Sequence, residues 1–206
     1  MTRPAVATVI LSAGESSRFG HQPKALLSVG TELAVQRIVR VSQEFGTDPV
    51  VVVTGRHDAP IRHALRDHTA QIVNNQDWEV GRTGSIQCGL NAVPEDRDIL
   101  LWPVDHPFPR VETIASLLRC LEDDEVAWWF IPEHSNHGGH PVLLRQPIRA
   151  RVNELRADAP LRALLPEIPL FVRRIPVADP GVIASVDTPE GYAEAYDAWR
   201  QREGAP

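Results

Sequence analysis

Residues 5–24 read AVATVILSAGESSRFGHQPK, and this stretch decides the fold. The run from Ala5 to Ser12 is apolar almost throughout and does not alternate between polar and apolar residues. Such a run predicts a strand buried on both faces, as in parallel sheets that are covered by helices on both sides. The glycine-containing segment that follows predicts a connection after the strand rather than its continuation.

Short apolar runs and helical patterns alternate along the chain. Strands are predicted at Ala5–Ser12, Pro49–Gly55, Ala70–Asn74, Asp98–Asp105, Glu125–Ile131 and Phe171–Ile175, and a short extended segment at Pro141–Leu144. Helices are predicted at Glu32–Phe45, Asp58–Asp67, Thr83–Val93, Val111–Leu121, Pro147–Leu165 and Pro189–Arg202. This alternation predicts an α/β fold with a three-layer, mostly parallel, doubly wound sheet. No internal repeat or linker divides the sequence, so we expect residues 1–206 to form a single domain.

Composition excludes several classes of partner. The net charge is −6, from 21 basic and 27 acidic residues, and no basic block is present, so no nucleic-acid partner is expected. The apolar runs are too short to span a membrane. The two cysteines, Cys88 and Cys120, lie too far apart in sequence for a metal knuckle and predict free thiols in a reducing compartment. We therefore expect a cytoplasmic protein that is a monomer or a small homo-oligomer.

The connection after the first predicted strand has the composition of a phosphate-binding loop. Gly14 and Gly20 place no Cβ between the backbone amides and an anion. Arg18 can make a two-pronged contact with phosphate oxygens, and Lys24 adds a compact charge further along. The segment is neither a Walker A loop nor a GxGxxG motif. It predicts a triphosphate site, and the alternative is an ordinary glycine-containing connection with two solvated cations.

Two carboxylates are candidate ligands for Mg²⁺. Asp105 ends the fourth predicted strand, and ligands of doubly wound sheets bind beyond the carboxyl ends of the strands. A carboxylate buried there needs a partner, and Mg²⁺ is commonly bound by one or two carboxylates plus substrate phosphates. The alternative for Asp105 is a helix or turn cap before Pro107. Asp187 is the second candidate, and its alternative is a capping role at the start of the last helix.

Two further segments contain candidate binding residues. Gly81 and Gly84 open the approach to a predicted helix, and the amides of a helix N-terminus suit an anion or a carbonyl group. Three histidines recur at a spacing of three residues: His134, His137 and His140. This spacing permits a zinc site, although no cysteine or fourth ligand lies nearby. The aromatic run 128–130 is interpreted as strand core rather than as a stacking platform.

Residues 13–24 have the spacing A-G-x-S-x-R-x-G-x-x-P-K. This spacing resembles the signature loop of the nucleotidyltransferase superfamily that includes the molybdenum-cofactor cytidylyl- and guanylyltransferases. Four later segments resemble the same family in the same order: NNQDWEVGRTGSIQCGL (74–90), PVDHP (103–107), GHP (139–141) and VDTPE (186–190). The resemblance covers Leu11 to Glu190 and implies a Rossmann-like nucleotidyltransferase fold.

The resemblance also implies functional residues, carried over by position. The nucleotide-binding positions, with Gly84 added at the helix start, are Leu11, Ser12, Ala13, Gly14, Arg18, Gly20, Lys24, Asn75, Gly84 and Ser85. The catalytic residues are Arg18, Lys24 and Asp105, and the metal ligands are Asp105 and Asp187. The acceptor-side residues are Gly139, His140 and Arg162, where Arg162 fits a contact to a substrate phosphate and a helix-surface ion pair equally well.

The implied reaction is the Mg²⁺-dependent transfer of a nucleoside monophosphate from an NTP to a phosphorylated small molecule. LSAG at 11–14 resembles the LAAG of the cytidylyl branch, so CTP is the favoured donor and molybdopterin a candidate acceptor. The chain departs from the family pattern at three places: Arg82–Thr83, Ser185 and Gly191. The alternatives are a guanylyl-, sugar- or polyol-phosphate nucleotidyltransferase, or a nucleotide-binding module without catalysis.

Overall fold

The computed structural model of the protein describes residues 5–203. The strands in this range are β1 (Val6–Ser12), β2 (Ser28–Val29), β3 (Glu32–Leu33), β4 (Val50–Thr54), β5 (Gln71–Asn74), β6 (Asp98–Pro103), β7 (Trp129–His134), β8 (His137–Gly138), β9 (Val142–Leu144) and β10 (Val172–Pro176). The α-helices are α1 (Ala34–Glu44), α2 (Asp58–Ala64), α3 (Arg82–Asn91), α4 (Val111–Asp123), α5 (Gln146–Glu154) and α6 (Pro189–Glu203). The predicted single domain, residues 1–206, includes residues 1–4 and 204–206, which lie outside the described residues.

One large sheet organises the fold. Its strands lie in the order β10-β7-β9-β6-β1-β4-β5, and β8 pairs with β7. The pairs β1–β4, β1–β6, β4–β5 and β7–β10 are parallel, whereas β8 and β9 run antiparallel to their neighbours. The prediction of a mostly parallel, doubly wound sheet is therefore confirmed. The short hairpin of β2 and β3 forms a separate two-stranded sheet.

The side chains of β1 divide between two cores, one on each face of the sheet. Val6 and Ile10 belong to the core that includes residues of α1 and α4. Val9 and the other odd-numbered apolar residues of β1 belong to the core that includes residues of α3 and α5. A strand between two helical layers must be apolar on both faces, which explains its unbroken apolar sequence. The predicted three-layer arrangement follows from this division.

The order of the strands creates a switch point beside β1. The chain passes from β1 to β4 and β5 on one side, and then returns to place β6 on the other side of β1. The loops that follow β1 and β6 therefore leave the same edge of the sheet in opposite directions, and a crevice forms between them. This crevice brings together the segments that begin at Ala13 and Val104.

The predicted helix at Pro147–Leu165 is wrong in its extent. The α-helix ends at Glu154, and a 3-10 helix at Leu161–Glu167 follows after an irregular segment with a turn at 157–158. Pro160 excludes one continuous helix up to Leu165, because its ring disfavours helical backbone in the preceding residue and it cannot donate a helical hydrogen bond. In the aromatic run, Trp129 and Phe130 are core residues, as predicted, and Trp128 stacks on Phe171 with ring centroids 3.8 Å apart.

Candidate active site

The loop after β1 is held in a compact shape by its own backbone. The amides of Phe19 and His21 both donate to the carbonyl of Ser16, at 2.8 and 3.1 Å. Gly20 has a φ of +63°, a left-handed conformation in which glycine has no steric cost. Phe19 is buried and meets Tyr192 of α6 edge to face, with ring centroids 6.2 Å apart. The loop is therefore packed against α6 as well as connected to β1.

The segment after β4 supports the other side of this loop. The His57 ring donates from Nε2 to the carbonyl of Glu15 at 3.2 Å. A Cβ on Gly55 would lie 2.5 Å from the carbonyl oxygen of Ala13 and 2.7 Å from Cγ of Trp78. Only glycine allows the backbone to pass this close. Gly14, by contrast, has nothing within 4 Å of an added Cβ, so the space in front of it is open.

Both cations of the loop contact Asp187. Lys24 donates from Nζ to Oδ1 of Asp187 at 2.8 Å, and Arg18 donates to the same oxygen at 3.2 Å. Ser185 donates to the other carboxylate oxygen at 3.3 Å. The hydrogen bond from Lys24 is the main cause that lowers the pKa of Asp187. This carboxylate therefore lies among the side chains predicted to bind phosphate.

Asp187 does not cap the final helix. The amide of Gly191 in α6 donates a hydrogen bond to Oγ1 of Thr188 at 3.1 Å. The capping alternative for Asp187 is therefore wrong, because the neighbouring threonine has that role and the carboxylate of Asp187 is turned to Lys24.

Asp105 follows β6 and has an unsatisfied carboxylate oxygen. Its side chain is 14% exposed, and its buried Oδ1 has no hydrogen-bond partner among residues 5–203. Arg82 lies 3.7 Å from Oδ2, and the ring of His106 lies 4.0 Å from Oδ1. No capping hydrogen bond to this carboxylate is found in that range. An oxygen in this state has the environment of a ligand for a divalent cation.

The two acidic segments are joined by their backbones. The amide of Val186 donates to the carbonyl of Asp105 at 2.8 Å. This bond places Asp187 in the same pocket as Asp105, although the two residues are far apart in sequence. In the described part of the chain, no group of three or more His, Cys, Asp or Glu side chains could hold a metal ion by itself. Two carboxylates plus substrate phosphates would suit Mg²⁺, which keeps part of its coordination for water and phosphate.

Two histidines lie behind Asp105. The rings of His106 and His140 are 4.7 Å apart, and their Nδ1 atoms are buried without hydrogen-bond partners in the described range. Burial lowers the pKa of His106, against the opposing charge of Asp105. Burial is also the main cause that lowers the pKa of His140, to about 3. Both rings are therefore uncharged at neutral pH.

The zinc hypothesis for the three regularly spaced histidines is wrong. His134 donates from Nδ1 to the carbonyl of Val177, and His137 donates from Nδ1 to the carbonyl of Ser135. Neither joins His140 in a metal-binding group within residues 5–203. His134 and His137 are paired across the β7–β8 hairpin, but the Nδ1 of each ring is bonded to a backbone carbonyl.

Asn75 and Gly84 contribute to the site through packing. Asn75 is buried and donates from Nδ2 to the hydroxyl of Ser85 at 3.0 Å, so it positions a residue that lines the pocket. The amide of Gly84 donates to the carbonyl of Ala157 at 3.3 Å. The structure thus uses this amide of the α3 N-terminus for packing against the segment after α5.

Most of the predicted site residues line one pocket at the switch point. These are Leu11, Ser12, Ala13, Gly14, Arg18, Lys24, Ser85, Asp105 and Asp187. The predicted residues that do not line it are Gly20, Asn75, Gly84, Gly139, His140 and Arg162. Arg162 is exposed and has no hydrogen bond or ion pair to a described residue, so the alternative of a helix-surface ion pair is not observed. Gly139 packs against Val182, where an added Cβ would lie 2.3 Å from the carbonyl oxygen.

Sequence reasoning missed three polar or aromatic residues of the pocket: His57, Trp78 and Arg82. His57 follows β4, so the rule that ligands bind after parallel strands could have identified it. Trp78 and Arg82 belong to the segment 74–90, in which only Asn75, Gly84 and Ser85 are predicted to bind the nucleotide.

Comparison with known proteins shows which family the chain resembles. A profile of the MobA-like NTP transferase domain matches residues 8–174 of this chain. The nicotine blue oxidoreductase of Paenarthrobacter nicotinovorans is 28% identical over 192 residues, which cover 91% of this chain and 94% of that protein. The bifunctional protein GlmU of Pseudoalteromonas atlantica is 28% identical over 124 residues, or 60% of this chain. The matched segment spans only 27% of GlmU.

Solved structures share the fold. A nucleotidyl transferase from Methanothermobacter thermautotroptrophicus superimposes with a TM-score of 0.81 and 19% identity, covering 96% of this chain and 99% of that one. Among residues 5–203, none of the helices has both the length and the hydropathy needed to cross a membrane.

Proposed function

Because the chain belongs to the MobA-like NTP transferase family, we propose that residues 1–206 act as one nucleotidyltransferase domain. In this proposal the domain transfers a nucleoside monophosphate, with CTP as the favoured donor, to the phosphate of a small molecule and releases pyrophosphate. One observation carries the proposal: Arg18, Lys24, Asp105 and Asp187 converge on one pocket at the switch point of the sheet. Two cations beside two carboxylates suit a polyphosphate with its divalent counterion.

The donor side is built from the loop after β1. Open space in front of Gly14 leaves room for a phosphate against the backbone. Arg18 and Lys24 would contact the phosphates that leave as pyrophosphate and stabilise the charge that develops there. Trp78 and Ser85 line the same pocket and are suited to hold the base and ribose. Nucleotide binding requires Arg18 and Lys24 to exchange Asp187 for phosphate oxygens.

The carboxylates of Asp105 and Asp187 are suitable ligands for a divalent ion. Asp105 has a buried oxygen without a partner, and Asp187 has a carboxylate balanced only by the loop cations and Ser185. These two residues would hold Mg²⁺, which when bound neutralises phosphate charge and polarises the phosphate oxygens. Ser185 supports Asp187 by a hydrogen bond, so the departure from the family pattern at this position leaves Asp187 in place.

The acceptor supplies its own nucleophile in this proposal. An oxygen of its phosphate bonds to the α-phosphorus, the bond from the α-phosphorus to the bridging oxygen breaks, and pyrophosphate leaves with the electron pair. Catalysis by positioning and electrostatics is sufficient, because a phosphate monoester is nucleophilic at neutral pH. We place the acceptor on the side of Gly139, His140 and Arg162, with molybdopterin as a candidate. A guanylyl-, sugar- or polyol-phosphate transferase would use the same machinery.

The test begins with the donor. Thermal unfolding of the protein is measured with ATP, CTP, GTP and UTP, each with Mg²⁺, with Mn²⁺ and with EDTA. At 100 times its dissociation constant, the correct nucleotide adds ~2.7 kcal/mol of stability and raises Tm. NADPH and NADH are included because one relative is named an oxidoreductase. Stabilisation by a dinucleotide and by none of the NTPs would overturn the proposal.

The second stage measures catalysis. Pyrophosphate release is followed with the stabilising NTP and a panel of phosphorylated acceptors, including molybdopterin and sugar and polyol phosphates. Divalent-dependent release with one acceptor class identifies the reaction. Tight NTP binding without release for any acceptor would favour the non-catalytic module instead.

A further inference from the structure

Arg82 is a cation of the pocket that the donor side does not use. It is the first residue of α3, lines the pocket, and has a side chain that is 65% exposed. Within residues 5–203 its one ion pair is the 3.7 Å contact to Oδ2 of Asp105, which is longer than a hydrogen bond. The donors of its guanidinium group are therefore free to bind a ligand.

The ion pairs divide the pocket's cations into two sets. Arg18 and Lys24, from the loop after β1, contact Asp187. Arg82, from α3, contacts Asp105. The first set is assigned above to the phosphates of the donor, which leaves Arg82 as the cation of the second set.

The backbone around Arg82 is fixed by close packing. A Cβ on Gly81 would lie 2.3 Å from the carbonyl oxygen of Ala157, and the amide of Gly84 donates to the same carbonyl. Thr83 donates from its hydroxyl to the carbonyl of Ala159. Because the start of α3 is held in this way, the long side chain of Arg82 is the charged group that this helix start presents to the pocket, beside the hydroxyl of Ser85.

We propose that Arg82 binds the phosphate of the acceptor and thereby selects phosphate monoesters. This inference rests on the proposed function. Attack of one phosphate on another brings two anions together, and a guanidinium group can bind two oxygens of the acceptor phosphate while the third attacks. In-line displacement requires the attacking oxygen to lie opposite the leaving pyrophosphate, so its cation must be distinct from Arg18 and Lys24. Arg82 meets that requirement through its separate position on α3.

The experiment uses methyl phosphate as the probe. The protein is first saturated with the α,β-methylene analogue of the NTP found by thermal shift, together with Mg²⁺, so that Arg18 and Lys24 are occupied. Titration calorimetry then measures methyl phosphate binding to wild type, Arg82→Gln, Arg82→Lys and Arg119→Gln. Arg119 is an exposed arginine of α4 outside the pocket and serves as the matched control.

We expect Arg82→Gln to weaken methyl phosphate binding at least about tenfold, the usual loss for a charge-assisted hydrogen bond. Arg82→Lys should retain part of the affinity, Arg119→Gln should match wild type, and affinity for the NTP analogue should be unchanged in all three variants.

Three results would overturn the inference. They are unchanged methyl phosphate affinity in Arg82→Gln, failure of wild type to bind methyl phosphate, and a loss of affinity confined to the NTP analogue. The last would show that Arg82 serves the donor. Failure of wild type to bind any NTP would instead refute the proposed function.

Discussion

Nζ of Lys24 lies 2.8 Å from Oδ1 of Asp187, although 163 residues separate them in sequence. A predicted phosphate-binding cation and a predicted metal ligand thus neutralise each other in this structure. Arg18 shares the same carboxylate oxygen. A nucleotide with its divalent ion offers each group a new partner of opposite charge, so binding can exchange the ion pair without leaving a charge unpaired.

Asp187→Asn should change polyphosphate binding in opposite directions with and without a divalent ion. Without divalent ions, the variant should bind tripolyphosphate about tenfold more tightly, because Lys24 and Arg18 lose a competing carboxylate. With Mg²⁺ it should bind the NTP more weakly, because a metal ligand is lost. Calorimetry under both conditions measures this, with Asp96→Asn, which removes an exposed partner of Arg97, as the control. If Asp187→Asn changed the affinity in the same direction under both conditions, Lys24 and Arg18 would not exchange Asp187 for phosphate oxygens.

Lys24 offers a test that needs no substitution, because it is the only lysine in the sequence. Its side chain is 13% exposed and is held by Asp187. Acetylation of Lys24, followed by mass spectrometry, should slow further when the NTP and Mg²⁺ are added, since phosphate oxygens would cover the amine. The N-terminal amine reports reagent activity in the same sample. Equal rates with and without nucleotide would place the phosphates elsewhere.

Asp105→Asn should reduce pyrophosphate release by at least ~100-fold, the usual loss when a stabiliser of transition-state charge is removed. It should also abolish the dependence of NTP affinity on Mg²⁺. Asp98→Asn is the matched control, because Asp98 begins the strand that Asp105 follows and accepts a bond from the amide of Gln146 that asparagine can also accept. Near-normal turnover in Asp105→Asn would remove this residue from the metal site.

Two glycines of the site should respond differently to alanine. Gly55→Ala should lower Tm by several degrees, because its Cβ would overlap Ala13 and Trp78 and such overpacking costs about 1–3 kcal/mol. Gly14→Ala should leave Tm unchanged, since its Cβ would enter open space. That space is proposed for phosphate, so NTP binding should weaken about tenfold or more, which is ~1.4 kcal/mol. Calorimetry and thermal unfolding separate the two effects, and equal Tm losses would contradict the geometry.

The ion pair between Glu32 and Arg40 predicts a pH-dependent stability. Arg40 contacts both carboxylate oxygens of Glu32, at 2.7 and 2.9 Å, and this hydrogen bonding is the main cause that lowers the pKa of Glu32 below 4.5. A lowered pKa stabilises the fold above the unfolded-state pKa, and the stabilisation is lost as pH falls through the folded-state value. The pair is partly exposed, so its contribution should be at most about 1 kcal/mol.

Glu32→Gln should therefore lower Tm at pH 7, and its difference from wild type should shrink as the pH falls below 4.5. Glu95→Gln, at an exposed position without an ion pair to the described residues, is the control. A difference that grows toward acid would contradict the sign of the pKa shift.

The fold could be predicted because its signals are local. The unbroken apolar run of β1 identified a strand between two helical layers, and the alternation with helices identified a parallel sheet. The antiparallel strand β9 was predicted only as an extended segment, because three residues show no direction by themselves. The predicted extent of α5 was wrong, because apolar residues at helical spacing continue past Glu154, where the helix ends, and past Pro160, which excludes a continuous helix.

The candidate site was predictable in its parts but not in its contacts. Residues after parallel strands were identified as ligand-binding, and most of them line the pocket. The packing of Gly84 against Ala157, and the approach of Arg82 to Asp105, depend on how the segment after α5 lies against α3. No local pattern specifies that approach.

The sequence by itself determined the strands, most of the helices, the glycine loop and the residue types available for phosphate and metal, because hydrophobic periodicity and backbone preferences act over a few neighbouring residues. Only the tertiary structure decided which charges meet. The pair Lys24–Asp187 exists because the strand order brings the loops after β1 and β6 to one crevice, where the bond from Val186 to Asp105 holds the last acidic segment. The contact of Arg82 with Asp105 depends on how the start of α3 packs against the segment after α5. Those contacts depend on the packing of the whole sheet, which residues distant in sequence specify jointly.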